Sequence, residues 1–123
     1  MASKSYDPNN VFARILRGEI PNKTVLETEH VLAFHDIQPL APIHILVIPK
    51  GAYVDMDDFT ANASDTEITA LFRTVGDIAR QVGAAEPGYR IISNCGAAAR
   101  QDVPHLHIHI LGGHDLGRMV KPD

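Results

Sequence analysis

Residues His105-Leu106-His107-Ile108-His109-Ile110 alternate strictly between imidazole and aliphatic side chains. Successive side chains of a β-strand point to opposite faces, so this run predicts a strand that buries Leu106, Ile108 and Ile110. His105, His107 and His109 then share the other face. That face must look into a polar cleft, or carry buried imidazoles that are costly unless each has partners. The chain therefore needs a sheet with one face in a core, and its 45% hydrophobic content over 123 residues suffices for one such domain.

The flanking sequence supplies the other elements. Asp7-Pro8 predicts the start of a short helix carrying Val11, Phe12, Ile15 and Leu16 and ended by Gly18. Thr24 to Glu27 and Val31 to Asp36 are rich in strand formers, and the polar Glu29-His30 pair between them predicts a hairpin. Ile43 to Ile48 predicts an apolar strand closed by Pro49 and Gly51. Ser64-Asp65-Thr66-Glu67 has the capping-box pattern of a helix start. Ile68, Leu71, Phe72, Val75, Ile78, Ala79 and Val82 then form one apolar stripe, with Gly83 as the stop. Tyr89 to Asn94 predicts a strand, Cys95 to Arg100 a loop of small residues, and His105 to Leu111 the last strand. The whole reads as α+β: a largely antiparallel sheet of about five strands with two helices packed on it. A flexible head over residues 1–9 leads into a single domain over residues 10–123.

Several classes of function are excluded. A formal net charge of −4 gives no general attraction to nucleic acid. No segment approaches the ~20 apolar residues of a membrane span, and the polar opening lacks the apolar core of a signal peptide. Cys95 is the only cysteine, so no intrachain disulfide can form. A cytoplasmic protein is expected.

Two chemistries suit the histidine run. A metal site is awkward for all three rings on a straight strand, since the outer pair lie about 13 Å apart. Two of them with a distant ligand such as His44 fit better, although a structural zinc site usually draws on cysteines. Alternatively, a neutral imidazole nitrogen attacks phosphorus, provided its other nitrogen is held by an acceptor and donors surround the phosphate oxygens. Asn94, Gln101 and the loop amides ahead of the strand are candidate donors. An inert histidine-rich sheet face is the third reading.

Val103-Pro104-His105-Leu106-His107-Ile108-His109-Ile110-Leu111-Gly112-Gly113 resembles the signature of the histidine triad (HIT) family. Further blocks follow the family's order: Val11-Phe12-Ala13-Arg14-Ile15, Gly18-Glu19-Ile20-Pro21, Ala33-Phe34-His35-Asp36-Ile37, Ala41 to Lys50, Gly88-Tyr89-Arg90 and Asn94. The resemblance runs from about residue 10 to residue 113 and is nearest to the Hint-type nucleotide-binding branch.

That resemblance implies a set of roles. His107 is the nucleophile that attacks the α-phosphate and forms a nucleotidyl-histidine intermediate. His109 contacts the phosphate, and His105 and His44 form a relay that orients His107. Asn94 bonds near the phosphate, beside the loop carrying Gln101, Asp102 and Val103. Asp36 accepts bonds from the ribose hydroxyls. Val11, Phe12, Ile15, Phe34, His35 and Ile37 line the base pocket. A homodimer joining two sheets into one larger sheet is implied, with a purine nucleotide as ligand and no cofactor. Where some members carry a zinc-binding Cys-x-x-Cys, this chain has Asn10 and Ala13, so no metal is expected.

Two departures bear on activity. The Gly-Gln-Ser loop of Hint proteins is replaced by Arg100-Gln101-Asp102, which puts a carboxylate where a hydroxyl donor faces the phosphate. Arg100 is the nearest charge to offset it. The tail from His114 onward lacks a tryptophan that some Hint tails carry, with Met119 or Val120 in its place. The expected activity is hydrolysis of purine nucleoside 5′-phosphoramidates or related mixed phosphates. The alternatives are a dinucleoside polyphosphate hydrolase and a weakly active nucleotide-binding module.

Overall fold

The computed structural model describes residues 4–120; the outermost residues of the expected head and domain, 1–3 and 121–123, lie outside the described residues. In chain order the elements are α1 (Val11–Leu16), β1 (Thr24–Glu27), β2 (Val31–His35), β3 (Ile43–Pro49), α2 (Met56–Asn62), α3 (Asp65–Gln81), β4 (Arg90–Ile92) and β5 (Ile108–Gly112), with a single 3-10 turn at Ala97–Ala99. The strands form one antiparallel sheet in the order β1-β2-β3-β5-β4. This is the expected α+β architecture with five strands. Among the described residues no helix is long and apolar enough to cross a membrane.

Strand alternation divides the core between the two faces of the sheet. Ile45 and Val47 of β3 and Ile108 and Ile110 of β5 pack with Phe59 of α2 and Leu71, Val75 and Ile78 of α3. Leu32 and Phe34 of β2 and Leu46 and Ile48 of β3 pack on the opposite face with Phe12 and Ile15 of α1. β3 is central and buried along its length from His44 to Pro49. His44 shares the α1 face with Leu46, and Leu46 faces His109 across the ladder. The two histidines therefore meet diagonally across adjacent strands.

Local signals explain the helix starts. Ser64 and Glu67 form the expected capping box at α3. α1 starts later than the Asp7-Pro8 signal predicts, because Asn10 caps it by accepting a hydrogen bond from the Ala13 amide at 2.9 Å. Asp7 instead accepts from the Asn9 amide at 2.9 Å, forming the turn that leads into the helix.

A third helix, α2, was not expected. Asp55 caps it through the Asp58 amide at 2.8 Å, and its one deeply buried apolar side chain, Phe59, packs edge-on against Tyr53. One buried aromatic in seven residues is too little periodicity to read from sequence. Phe72 also departs from the predicted stripe: it is 43% exposed, because it sits one residue round the helix from Leu71, toward the outer face.

The histidine strand is shorter than its alternation predicts, since β5 begins only at Ile108. Ahead of it the His105 amide turns back to the Val103 carbonyl and the Leu106 amide bonds to the Tyr53 carbonyl. The aliphatic half of the pattern holds: Leu106, Ile108 and Ile110 are each at most 1% exposed.

The segment expected as a loose head is fastened to the domain from Lys4 onward. Lys4 pairs with Asp55 at 2.6 Å, the Tyr6 hydroxyl meets the His105 ring at 2.6 Å, and the Arg17 guanidinium donates to the Pro8 carbonyl at 2.7 Å.

Candidate active site

Four histidines converge at the junction of β3, β5 and the turn before β5, and their partners fix which nitrogen of each carries a proton. The Leu40 amide donates to His44 Nδ1 at 3.0 Å. Nδ1 is thereby an acceptor, so the proton of neutral His44 sits on Nε2. That N–H points at His109 Nδ1, 2.9 Å away. His109 in turn keeps its own proton on Nε2, as a donor for an incoming ligand.

The same reasoning applies to the other pair. His107 Nδ1 lies 2.8 Å from the His105 carbonyl oxygen, which can only accept. His107 therefore holds its proton on Nδ1 and offers a bare lone pair at Nε2. His105 is fully buried, with Nε2 donating to the Pro49 carbonyl at 2.9 Å and Nδ1 accepting from the Tyr6 hydroxyl at 2.6 Å. The ring centroids of His107 and His109 are 5.2 Å apart, so a bare lone pair and a hydrogen-bond donor stand side by side. Phe12 packs edge-on against His107 at 4.9 Å.

Of the two arrangements open to the histidine face, the structure has the buried one: His105 and His107 are buried, and each imidazole is satisfied by a named partner. One expectation is corrected. His105 and His44 do not form one relay onto His107: His105 holds His107 through its backbone carbonyl, whereas His44 holds His109.

Burial disfavours the charged form of His44, His105 and His109. It pushes the pKa of His105 down to about 4, against a rise from the Pro49 bond and with a further fall from His107. Burial also lowers His109 to about 4, helped by His107 and His44 and opposed by Asp36 and Asp102. His44 is lowered by burial despite Asp36, whose carboxylate lies 3.4 Å from its Nε2.

The remaining predicted residues fall into three places. His35, Asp36 and Ile37 line one cavity of about 500 Å³ together with His44, Lys23, Pro39 and Pro42. Phe12, Ile15 and Phe34 lie in the apolar cluster on the α1 face, against which Val103 packs, while Val11 is 39% exposed. Asn94 is half-buried just beyond β4. Its neighbour Ser93 donates to the His107 carbonyl at 3.0 Å, a contact that sequence gave no reason to seek.

Gln101 does not serve as a free phosphate donor. Its amide nitrogen donates to the Val54 and Val103 carbonyls at 2.7 and 3.0 Å, and its oxygen accepts from the Gly96 amide at 2.9 Å. It locks the loop ahead of the histidines. Asp102 accepts from the Val103 amide at 2.9 Å, and its carboxylate, 85% exposed, stands 3.9 Å from His107 Nε2. The group that Asp102 faces is therefore the His107 ring, whereas Arg100 sits exposed in a left-handed turn. Tyr6, Ser93, Leu40 and Pro49 join the site from distant parts of the chain and carry no local signal of doing so.

Asp36, His44 and His109 have ligating atoms within 4.8 Å of one another and are the group that could hold a metal ion among the described residues. The His44 Nε2–H already fills the space between them, so an ion would have to displace that proton and break the bond that sets the His109 tautomer.

Comparison with known proteins agrees with the geometry. The HIT domain family pattern matches residues 17–116. A 13.2 kDa HIT-like protein of Azospirillum brasilense is 73% identical over 118 residues, covering 96% of this chain and 97% of that one. A purine nucleoside phosphoramidase of Escherichia coli K12 is 40% identical over 110 residues, covering 89% and 92%. A solved HIT family hydrolase from Clostridium thermocellum superposes with a TM-score of 0.83 at 40% identity, covering 92% of this chain and 97% of that one.

Proposed function

The chain belongs to the HIT family, and with the hydrolases of that family as premise we propose that it cleaves purine nucleoside 5′-phosphoramidates, or related mixed phosphates, at the α-phosphate. The observation that carries this reading is the paired tautomers: a bare lone pair at His107 Nε2 beside the His109 Nε2–H. Its support from relatives is the phosphoramidase of Escherichia coli at 40% identity.

In this reading the His107 Nε2 lone pair attacks the α-phosphorus and the phosphorus–nitrogen bond breaks, its electron pair leaving on the nitrogen, which takes a proton from solvent and departs as the amine. The His109 N–H steadies the phosphoryl oxygens as charge gathers on them. Water then attacks the nucleotidyl-histidine, gives up a proton and releases the nucleoside monophosphate, restoring the lone pair on His107. The half-buried Asp36 carboxylate accepts from the ribose hydroxyls, and the cavity beside it receives the nucleoside, with Lys23 on its rim. A panel of adenosine and guanosine phosphoramidates, acyl phosphates and dinucleoside polyphosphates, assayed on the purified protein, tests the proposal. It predicts fastest turnover of the phosphoramidates, and preference for the polyphosphates would overturn it.

Asp102 favours phosphoramidates over the polyphosphate reading, because a carboxylate 3.9 Å from the nucleophile repels an anionic leaving group more than a neutral amine. Replacing it with serine is expected to raise phosphoramidate turnover about three- to tenfold, on the order of 1 kcal/mol for an exposed charge. Unchanged rates at low and high salt would show that the carboxylate does not act on the substrate.

The proposal includes a homodimer in a cytoplasmic setting. Its support is an outer strand, β4, with Ile91 46% exposed, and Phe72 exposed on α3 beside Thr69, Arg73 and Gly76. Phe72→Glu is expected to shift sedimentation from dimer to monomer, and a wild-type profile for that variant would count against this face.

A further inference from the structure

Residues 4–9 form a strap that reaches His105 through Tyr6. Lys4 anchors it to Asp55, at 2.6 Å, and to Asp57, at 3.3 Å; at the other end Arg17 holds the Pro8 carbonyl at 2.7 Å. Between these anchors, the Tyr6 hydroxyl reaches His105 Nδ1 at 2.6 Å, and the two rings meet edge to face with centroids 5.6 Å apart. Residues 4–9 precede the part of the chain that the HIT family pattern matches, so the family itself does not assign this contact.

Given the reading of His107 as nucleophile, we propose that Tyr6 is a positioning residue for it, acting through His105. The fully buried His105 ring is held at both nitrogens, by Tyr6 on one side and the Pro49 carbonyl on the other. Each bond requires the other. With Pro49 able only to accept, the ring proton stays on Nε2 and Nδ1 must be met by a donor, which the tyrosine hydroxyl supplies. A ring fixed at both ends fixes its residue, and the backbone carbonyl of that residue takes the His107 Nδ1–H at 2.8 Å. Without the hydroxyl, Nδ1 is left buried and unpaired while Nε2 stays bound to Pro49, and the ring gains by tilting to bring Nδ1 to another donor. That tilt moves the carbonyl that aims His107. The same hydroxyl contact is what converts a segment outside the family pattern into part of the site.

Tyr6→Phe tests this, because it keeps the ring contact and removes only the hydroxyl. The expected result is a roughly tenfold fall in kcat with KM within about twofold of wild type, the size of one net hydrogen bond. Ring ¹⁵N spectra recorded without substrate provide the second readout. Both proteins should show His105 protonated at Nε2, with the Nδ1 resonance of the wild type at a hydrogen-bonded position and that of the variant shifted to an unbonded one. Two results would overturn the proposal: a kcat within twofold of wild type, or a fall in kcat with the His105 Nδ1 resonance unchanged, which would mark lost packing instead. The spectra judge the Tyr6–His105 pair without any turnover, whereas a wild type that cleaves no phosphoramidate would overturn the functional reading alone.

Discussion

Alanine at position 107 is expected to lower phosphoramidate turnover by on the order of 10⁴-fold, equivalent to about 5 kcal/mol of barrier, while nucleotide binding survives. The loss is large because no other imidazole can take over. His105 has both nitrogens occupied, and His109 presents a proton instead of a lone pair. Binding should persist because the cavity beside Asp36 does not include His107. Single-turnover assays with a labelled phosphoramidate and calorimetric titration with a purine monophosphate separate the two effects. Rapid quenching of the wild type should place the label on the peptide carrying His107. Turnover of the variant within tenfold of wild type would rule out covalent catalysis by this ring.

Acid should unfold the protein in a window set by the buried histidines rather than by carboxylates. His105 and His109 have pKa values near 4 in the folded chain, whereas an unfolded histidine titrates at 6.5. Between those values the unfolded chain binds more protons, so stability falls as pH drops. The stabilisation is fully present above 6.5 and is lost as pH falls through about 4. His105 alone accounts for about 3 kcal/mol over that range. His109, partly open to solvent, adds less. Asp55 and Glu67 also favour the folded state through lowered pKa values, yet they titrate from 3.8 and 4.5 downward, at the bottom of the window. Urea midpoints measured at about pH 7.5, 5.5 and 4.5 should therefore fall steeply between the first and last values. Equal midpoints at the first two values would show that the ring of His105 is protonated without strain.

The strand periodicities were legible because they depend only on neighbours in the chain. Leu106, Ile108 and Ile110 alternate and are buried, and the capping box at Ser64 starts α3 where its spacing says. Helix α2 was not legible, since Phe59 contributes one buried side chain and the cap at Asp55 is shared with an ion pair from Lys4. Gln101 was expected as a phosphate donor, and its role was not legible: its three hydrogen bonds go to backbone groups at residues 54, 96 and 103. Asp102 was expected at the phosphate; its bond from the Val103 amide and its 3.9 Å approach to His107 Nε2 depend on the turn at Val103 and were not legible.

Sequence by itself determined the α+β class, the five strands, the family and the identity of the four histidines, because hydrophobic period and motif order are properties of the chain read in line. Only the tertiary structure decided which nitrogen of each histidine carries its proton. A ring's tautomer is set by the donor or acceptor that meets its far nitrogen, and those partners are Leu40, Pro49, the His105 carbonyl and Tyr6. Two of the four, Pro49 and Tyr6, lie 56 and 99 residues from the ring they hold, so nothing short of the folded chain could bring them to it.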